Sequence, residues 1–185
     1  MIVSSTEKTT DFIKEMLNAA RINQIAALDT VAEARRLLLK QDFDLVIVNS
    51  PLPDESGESF SRQTARRDNS QVILVVKDER FEEVSRACET DGVLTIAKPL
   101  NKAVFLSALL LARSAHARLK RLLDENSRLK QKLEDIGIIN RAKYILISYM
   151  KMSEQEAHRF IEKQAMDMRA AKRVIAEGIL KTYEN

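Results

Sequence analysis

Three short aliphatic runs constrain the fold of this chain most: Asp44-Leu45-Val46-Ile47-Val48-Asn49, Val72-Ile73-Leu74-Val75-Val76 and Val93-Leu94-Thr95-Ile96. Their cores do not alternate apolar with polar residues, so each reads as a strand buried on both faces, the habit of parallel sheets. Ile2-Val3 is a shorter apolar start at the head of the chain. Helical spacing fills the intervals: Phe12, Ile13, Met16, Leu17 and Ala20 recur on one face, then Ala34, Leu37 and Leu38. Pro51, Pro53 and Gly57 mark the loop after the central run. Alternating strand and helix predicts a doubly wound parallel α/β domain.

A different period takes over in the middle of the chain. Leu119, Leu122, Asn126, Leu129, Leu133 and Ile136 are separated by alternating steps of three and four. That is a heptad seam with Leu119, Asn126 and Leu133 at a and Leu122, Leu129 and Ile136 at d, which predicts a coiled-coil helix and a homodimer. A buried asparagine amide needs a partner, and Asn126 of a second parallel chain supplies one; this sets register. Glu125 at g faces Lys130 at e of the opposite helix. Read backwards, the stripe passes through Ala115, Ala112, Ala108 and Phe105, where packing on the chain's own α/β domain is the alternative to a dimer seam. Gly137 costs the helix about 1 kcal/mol relative to alanine and reads as a hinge or register break.

Three further helical patterns follow. Ile138, Ala142, Ile145, Leu146 and Tyr149 share one face. Ser153 and Glu156 have the spacing of a capping box, and Ala157, Phe160, Ile161, Gln164 and Ala165 continue that helix. Asp167 is placed to cap a third helix with the stripe Ala171, Val174, Ile175, Gly178 and Ile179. Together they predict a small all-α three-helix bundle. Charge divides along the same line: residues 1–103 carry 14 Lys+Arg against 17 Asp+Glu, whereas residues 104–185 carry 16 against 10. A basic C-terminal half suits a polyanionic partner.

Other classes are disfavoured. No run of about eighteen apolar residues is present, so no membrane span is expected, and without a signal-peptide pattern the cytoplasm is the expected location. Cys88 is the one cysteine and reads as a small core residue. Widely separated histidines and cysteine make no standard zinc site. No nucleophile–base pair or phosphate loop is visible, so neither catalysis nor a metal or cofactor is expected.

Two resemblances sharpen this picture. Residues 1–112 resemble a response-regulator receiver domain, through the central strand running to Pro53 and Gly57 and through Lys98-Pro99. The resemblance implies a five-stranded parallel sheet. It also implies acidic magnesium ligands after the first strand, where this chain has Ser4 and Ser5. The phosphoacceptor aspartate falls at Asn49 and the switch Ser/Thr at Lys77; of the site, Lys98 alone matches. Two hydroxyls and an amide supply no anionic magnesium ligand, and Asn49 has no carboxylate to phosphorylate. A degenerate, non-phosphorylated pseudo-receiver is therefore expected, with Lys77 or Lys98 pairing instead with acids such as Asp54 or Asp78.

Residues 138–185 resemble the ANTAR module of AmiR- and NasR-type transcription antiterminators, through Arg141-Ala142-Lys143, Ala157-His158-Arg159-Phe160-Ile161 and Gln164-Ala165-Met166-Asp167. Tyr144, His158 and Glu162 depart from the usual glycine, aromatic and basic residues. Residues 113–137 are then the coiled-coil dimerisation helix. The resemblance implies binding to paired leader-mRNA hairpins through Arg141, Lys143, Arg159, Lys163 and Arg169, with Lys151, Lys172 and Arg173 as further phosphate contacts. Tyr144 or His158 is placed to stack on a base, and Ala165 and Met166 match motif positions. The expected function is transcription antitermination under the control of a regulatory protein partner. A response-regulator-like adaptor or a DNA-binding regulator is the alternative.

Overall fold

The computed structural model describes residues 1–67 and 70–183. The chain divides into two compact units, Met1–Arg121 and Leu122–Asn185, each described by itself.

In the first unit β1 (Ile2–Val3), β2 (Ala27–Leu28), β3 (Leu45–Asn49), β4 (Gln71–Val76) and β5 (Leu94–Ala97) form a parallel sheet in the order β2-β1-β3-β4-β5. Helices α1 (Glu7–Ala19), α2 (Val31–Leu38), α3 (Glu58–Arg67) and α4 (Phe81–Glu89), with the start of α5 (Lys102–Met150), make the connections and cover the sheet. Register decides which side chains meet. Ile2 pairs with Ile47, Ile47 with Ile73 and Ile73 with Leu94. One face of this row, continued by Ile96, packs on Ile13, Met16 and Leu17 of α1 and on Phe105, Leu109 and Ala112 of α5. The intervening residues Val3, Val46, Val48, Val72, Leu74 and Val76 face the other way, onto Val31, Ala34, Phe60, Val84 and Cys88. Both faces are thus dry, as the unalternating runs require. The two-residue β2, with Ala27 exposed and Leu28 half-buried, carries no such pattern.

Local chemistry fixes the loops. Thr30 Oγ1 accepts from the Glu33 N–H at 3.2 Å, and the Asp54 carboxylate accepts from the Val31 and Ala32 N–H groups at 3.1 and 2.9 Å. Together they satisfy three of the donors that the start of α2 leaves open. Gly57 sits at φ +82°, and a Cβ there would lie 2.8 Å from Val48 Cγ1.

The second unit is built from the C-terminal part of α5, α6 (Glu154–Asp167) and α7 (Lys172–Tyr183). Its core is Ala142, Leu146, Ala157, Ile161, Ala165, Ile175 and Ala176. Four expectations are corrected. Gly137 breaks nothing, since α5 runs continuously past it. Asp167 ends α6 and does not cap α7, because the α6 C-terminus closes on residues 168–170 instead. Ala176 is buried and Val174 is 56 % exposed, so the α7 stripe is rotated from the expected one. Tyr149 is exposed and meets the Tyr183 ring with centroids 5.8 Å apart.

The stripe of α5 also divides. Phe105 and Ala112 belong to the sheet core, with Phe105 edge-on to Phe12. Leu122, Leu129, Leu133 and Ile136 are each more than half exposed; Leu119 is half-buried and Asn126 exposed. Among the described residues no helix is long and apolar enough to cross a membrane.

Replacing Gly57 with alanine should destabilise the full chain by roughly 1–3 kcal/mol, through the left-handed φ and the Val48 contact. The denaturant midpoint measures it, and an unchanged midpoint would show that the loop relaxes freely.

Candidate functional site

Side-chain parity places four polar residues beyond the carboxyl ends of the strands, on the same face as the isoleucine row. Ser4 follows β1 in line with Asn49 at the end of β3, and Lys77 and Lys98 directly follow the paired residues Val76 and Ala97. Ser4 and Asn49 are 3 % and 2 % exposed, and the Asn49 amide donates from Nδ2 to Ser4 Oγ at 3.0 Å. Asn49 Oδ1 has no donor among the described residues. Ser5 is exposed. Lys98 Nζ reaches across to β3 and donates to the Ser50 carbonyl at 2.6 Å. Burial, and then the neighbouring Lys77 charge, lower the Lys98 ammonium from its ordinary pKa.

The expected pairing of these lysines with nearby acids is not found. Asp54 is turned to the start of α2, Glu55 holds Arg35 at 3.0 Å, and no ion pair joins Asp78 to either lysine among the described residues. The strand ends therefore present hydroxyls, an amide and two ammonium groups. Nothing at Ser4, Ser5 or Asn49 offers the anionic oxygen that a magnesium ion prefers.

In the second unit the capping box at the start of α6 is complete. Ser153 Oγ accepts from the Glu156 N–H at 3.3 Å, and Glu156 Oε2 accepts from the Ser153 N–H at 2.8 Å. At the other end Arg169 adopts φ +50°, its N–H bonds the Met166 carbonyl and the Ala170 N–H bonds the Ala165 carbonyl. These are the two bonds of a Schellman turn, with arginine where glycine is usual.

Between the two ends, Ala157, Ile161 and Ala165 face the core while Arg159, Lys163 and Met166, at i, i+4 and i+7, share a solvent face. Ala165 is thus a packing residue, whereas Met166 is 78 % exposed. The expected cations separate into two groups. Lys143 is held by Glu154 at 2.7 Å, Lys172 by Glu162, and Arg173 by Asp135 at 2.8 Å and Glu177 at 2.7 Å. Lys151, Arg159, Lys163 and Arg169 are exposed and form no ion pair among the described residues. Arg141 is exposed on α5, and Tyr144 is 72 % exposed.

Glu162, which departs from a usually basic position, is occupied from within. Lys172 foremost, and His158 at 3.2 Å, hold its carboxyl below the ordinary glutamate value. Sequence reasoning missed the link between α7 and α5 made by Arg173 and Asp135, which are 38 positions apart. Glu134 lies 3.9 Å from the same guanidinium, so α7 lies along that side of α5 and leaves Leu129, Leu133 and Ile136 to solvent.

A five-stranded parallel sheet in this strand order, followed by helices, is the architecture of a response regulator. The Response regulator receiver domain model matches residues 1–110 and the ANTAR domain model matches residues 127–180; the chain belongs to the response-regulator receiver family and carries an ANTAR domain. It is similar to the Transcriptional regulatory protein PdtaR of Mycobacterium tuberculosis, 25 % identical over 170 residues, which cover 92 % of this chain and 83 % of the relative. Two solved structures share the receiver fold. A signal receiver domain of an HD domain-containing protein from Pseudomonas fluorescens matches at TM-score 0.56 and 19 % identity, covering 65 % of this chain and 89 % of that one. A sensor protein from Polaromonas sp. matches at TM-score 0.53 and 19 % identity, covering 64 % and 94 %.

Arg169→Gly should raise stability by about 0.5–1 kcal/mol by relieving the left-handed arginine; an unchanged or lower denaturant midpoint would contradict this. Glu154, Glu156 and Glu162 all sit below the ordinary glutamate value, held by Lys143, by the Ser153 N–H and by Lys172 respectively. Depressed carboxyls stabilise above their unfolded-state pKa, and that stability is lost as pH falls through the folded value. Thermal unfolding should therefore move to lower temperature between neutral pH and about pH 3, and Glu162→Gln should flatten that dependence.

Proposed function

We propose that this chain is a dimeric RNA-binding transcription antiterminator whose receiver is not phosphorylated. The observation that carries the RNA reading is the face of α6. Arg159, Lys163 and Arg169 are exposed with no acid partner among the described residues, and Met166 is exposed beside them, inside the segment matched by the ANTAR model. Hairpin-loop bases are unstacked and open to contact, while guanidinium and ammonium groups hold the flanking phosphates. Tyr144, or the flexible thioether of Met166, offers a surface against which a base can stack. Arg141 and Lys143 join the interface from α5, with Lys143 exchanging its Glu154 partner for a phosphate. Holding paired hairpins of a leader mRNA in this way prevents the overlapping terminator stem from forming. The relative's name, a transcriptional regulatory protein, agrees with this output.

The receiver-like part is taken as residues 1–112, the coil as 113–137 and the ANTAR part as 138–185. Exposed Leu122, Leu129, Leu133 and Ile136 flank Asn126 at the spacing of a two-stranded seam. With Asn49 in place of a carboxylate, control falls to a regulatory protein that covers the receiver, the coil or the RNA face.

The test is a titration of the full-length protein against a tandem-hairpin leader RNA and a matched DNA duplex at several salt concentrations. Tight, loop-dependent RNA binding is expected. Its log–log salt slope should lie near −2 per module, about −0.7 for each of three phosphate contacts. Arg159→Gln and Lys163→Gln should each weaken binding and reduce the slope. Equal weak binding to RNA and DNA would sink the proposal and favour an adaptor. Asn126→Leu should change the oligomeric state or helix register in sedimentation and crosslinking; an unaltered dimer would remove Asn126 from the seam.

A further inference from the structure

We infer that the amino end of the receiver sheet is a binding site for an apolar organic acid, a carboxylate on an aliphatic or aromatic body, received between Arg21 and Arg113. The site is an open cleft of about 930 Å³. Organic ligands are held in clefts of roughly 300–1,000 Å³ that are mostly apolar and carry a few placed polar groups. The loop 21–26, the loop 41–44 before β3 and the α5 residues 112–117 wall it. Leu45, which begins β3, lines the cleft, whereas Asn49, which ends β3, lies at the other pole of the sheet. All of its walls belong to the first unit.

The floor is apolar. Leu17 of α1 and Ala112 of α5 line it from the margin of the isoleucine core, and Ile22 and Ile25 line it while staying only half-buried. Covering what remains of that aliphatic surface favours an occupant with an apolar body over a small hydrated ion. One wall is α5 itself, in the last turns that pack on the sheet before the exposed leucines begin at Leu122. An occupant therefore touches the helix that leaves the receiver, an input that uses none of the carboxyl-end residues.

The rim supplies the carboxylate end. Arg21 and Arg113 are exposed and form no ion pair among the described residues. Arg113 Nη1 makes only a long contact, 3.5 Å, to the Ala20 carbonyl, beyond the usual N–H···O range. Its fork stays open to a carboxylate, which a guanidinium meets with two parallel donors. Arg21 stands at φ +60° where the chain leaves α1; its N–H bonds the Asn18 carbonyl and the Ile22 N–H bonds the Leu17 carbonyl, both at 2.9 Å. Glycine fits that position without steric cost, so the arginine sits there against the backbone preference, and such residues gather at ligand sites. The acids of the cleft do not cancel this charge. Asp44 Oδ1 lies 3.2 Å from His116 Nε2, which leaves Asp42 as the one cleft acid with no ion pair among the described residues, against two arginines. Binding is non-covalent, and the site stands whether or not the second unit binds RNA.

The experiment titrates the full-length protein with sodium octanoate below its micellar range and, separately, with sodium phenylacetate, at ionic strength fixed with sodium chloride. Sodium acetate supplies the charge without the body, and phenethylamine the body with the opposite charge. Backbone amide chemical shifts report the site, and thermal unfolding is followed in parallel. Saturable shifts at Ile22, Ile25, Phe43, Arg113 and His116, with a rise in Tm, are expected. Saturation by octanoate alone identifies an aliphatic ligand, by phenylacetate alone an aromatic one, and by both a site that accepts either body; each result supports the site. Arg113→Gln changes an exposed side chain and should weaken binding by roughly tenfold, as the loss of one charge-assisted contact implies. Arg21→Gly should also weaken binding while raising the Tm of the free chain, a combination that a purely structural arginine would not give. A loss of affinity in either variant supports the site. The inference is overturned if neither acid saturates these amides, if acetate or phenethylamine moves them with the same midpoint, or if both variants bind as tightly as the parent chain.

Discussion

Burial of the central strands on both faces governs the first unit. With Ile47 and Ile73 directed to α1 and α5, and Val46, Val48, Val72 and Leu74 directed to the opposite helices, the two central strands carry only apolar side chains between these layers. Polar groups collect where the pleat runs out, just past the carboxyl ends. The same parity that sorts isoleucine from valine therefore selects which polar residues meet. Ser4, Asn49, Lys77 and Lys98 converge because each stands an even number of residues from a member of the isoleucine row. A one-residue slip of β4 would send Lys77 to the other face and Val76 into its place.

The units handle charge differently. At the sheet end two ammonium groups have no carboxylate partner among the described residues, while the nearby acids Asp54 and Glu55 serve a helix start and a loop pair. In the C-terminal unit the basic excess is partly consumed by its own acids: Lys143, Lys172 and Arg173 lock helices together, whereas Arg159, Lys163 and Arg169 project outward. The electrostatic footprint open to a polyanion is therefore smaller than the regional charge suggests, and it is concentrated on one helix face and the turn that follows it. Glu162 reverses a usual charge with limited effect on that face, since Lys172 and His158 hold it.

The large elements were legible because burial leaves a pattern in residue type. The runs at 45–48 and 72–76 and the Ser153–Glu156 box can be read directly. The failures have specific physical origins. β2 is two residues of half-exposed chain and has no hydrophobic signature. Gly137 costs too little helix propensity to stop a helix with neighbours on both sides. Asp167 looked like a cap because the real stop signal, a left-handed residue at 169, is an arginine here and not the glycine that announces such turns. Phe105 to Ala112 and the later leucines share helical spacing, yet period does not say which surface a stripe meets. At the candidate site the residue types were visible but their pairing was not. Arg173 and Asp135 come together through the packing of α7 along α5, which no local pattern encodes.

Helix α5 passes through three environments. Near Phe105 and Ala112 its backbone is clamped by the sheet core, and near Ala142 and Leu146 by the three-helix core; between them Leu122, Leu129, Leu133 and Ile136 are exposed in the single chain, while Asp135 is held by Arg173. Amide protection along one unbroken hydrogen-bond ladder must then be uneven, high at both clamps and governed in the middle by local opening. In the dimer proposed above, a second chain laid along that middle stretch would remove the weak segment, so the solvent-exchange profile of this helix would report on that pairing.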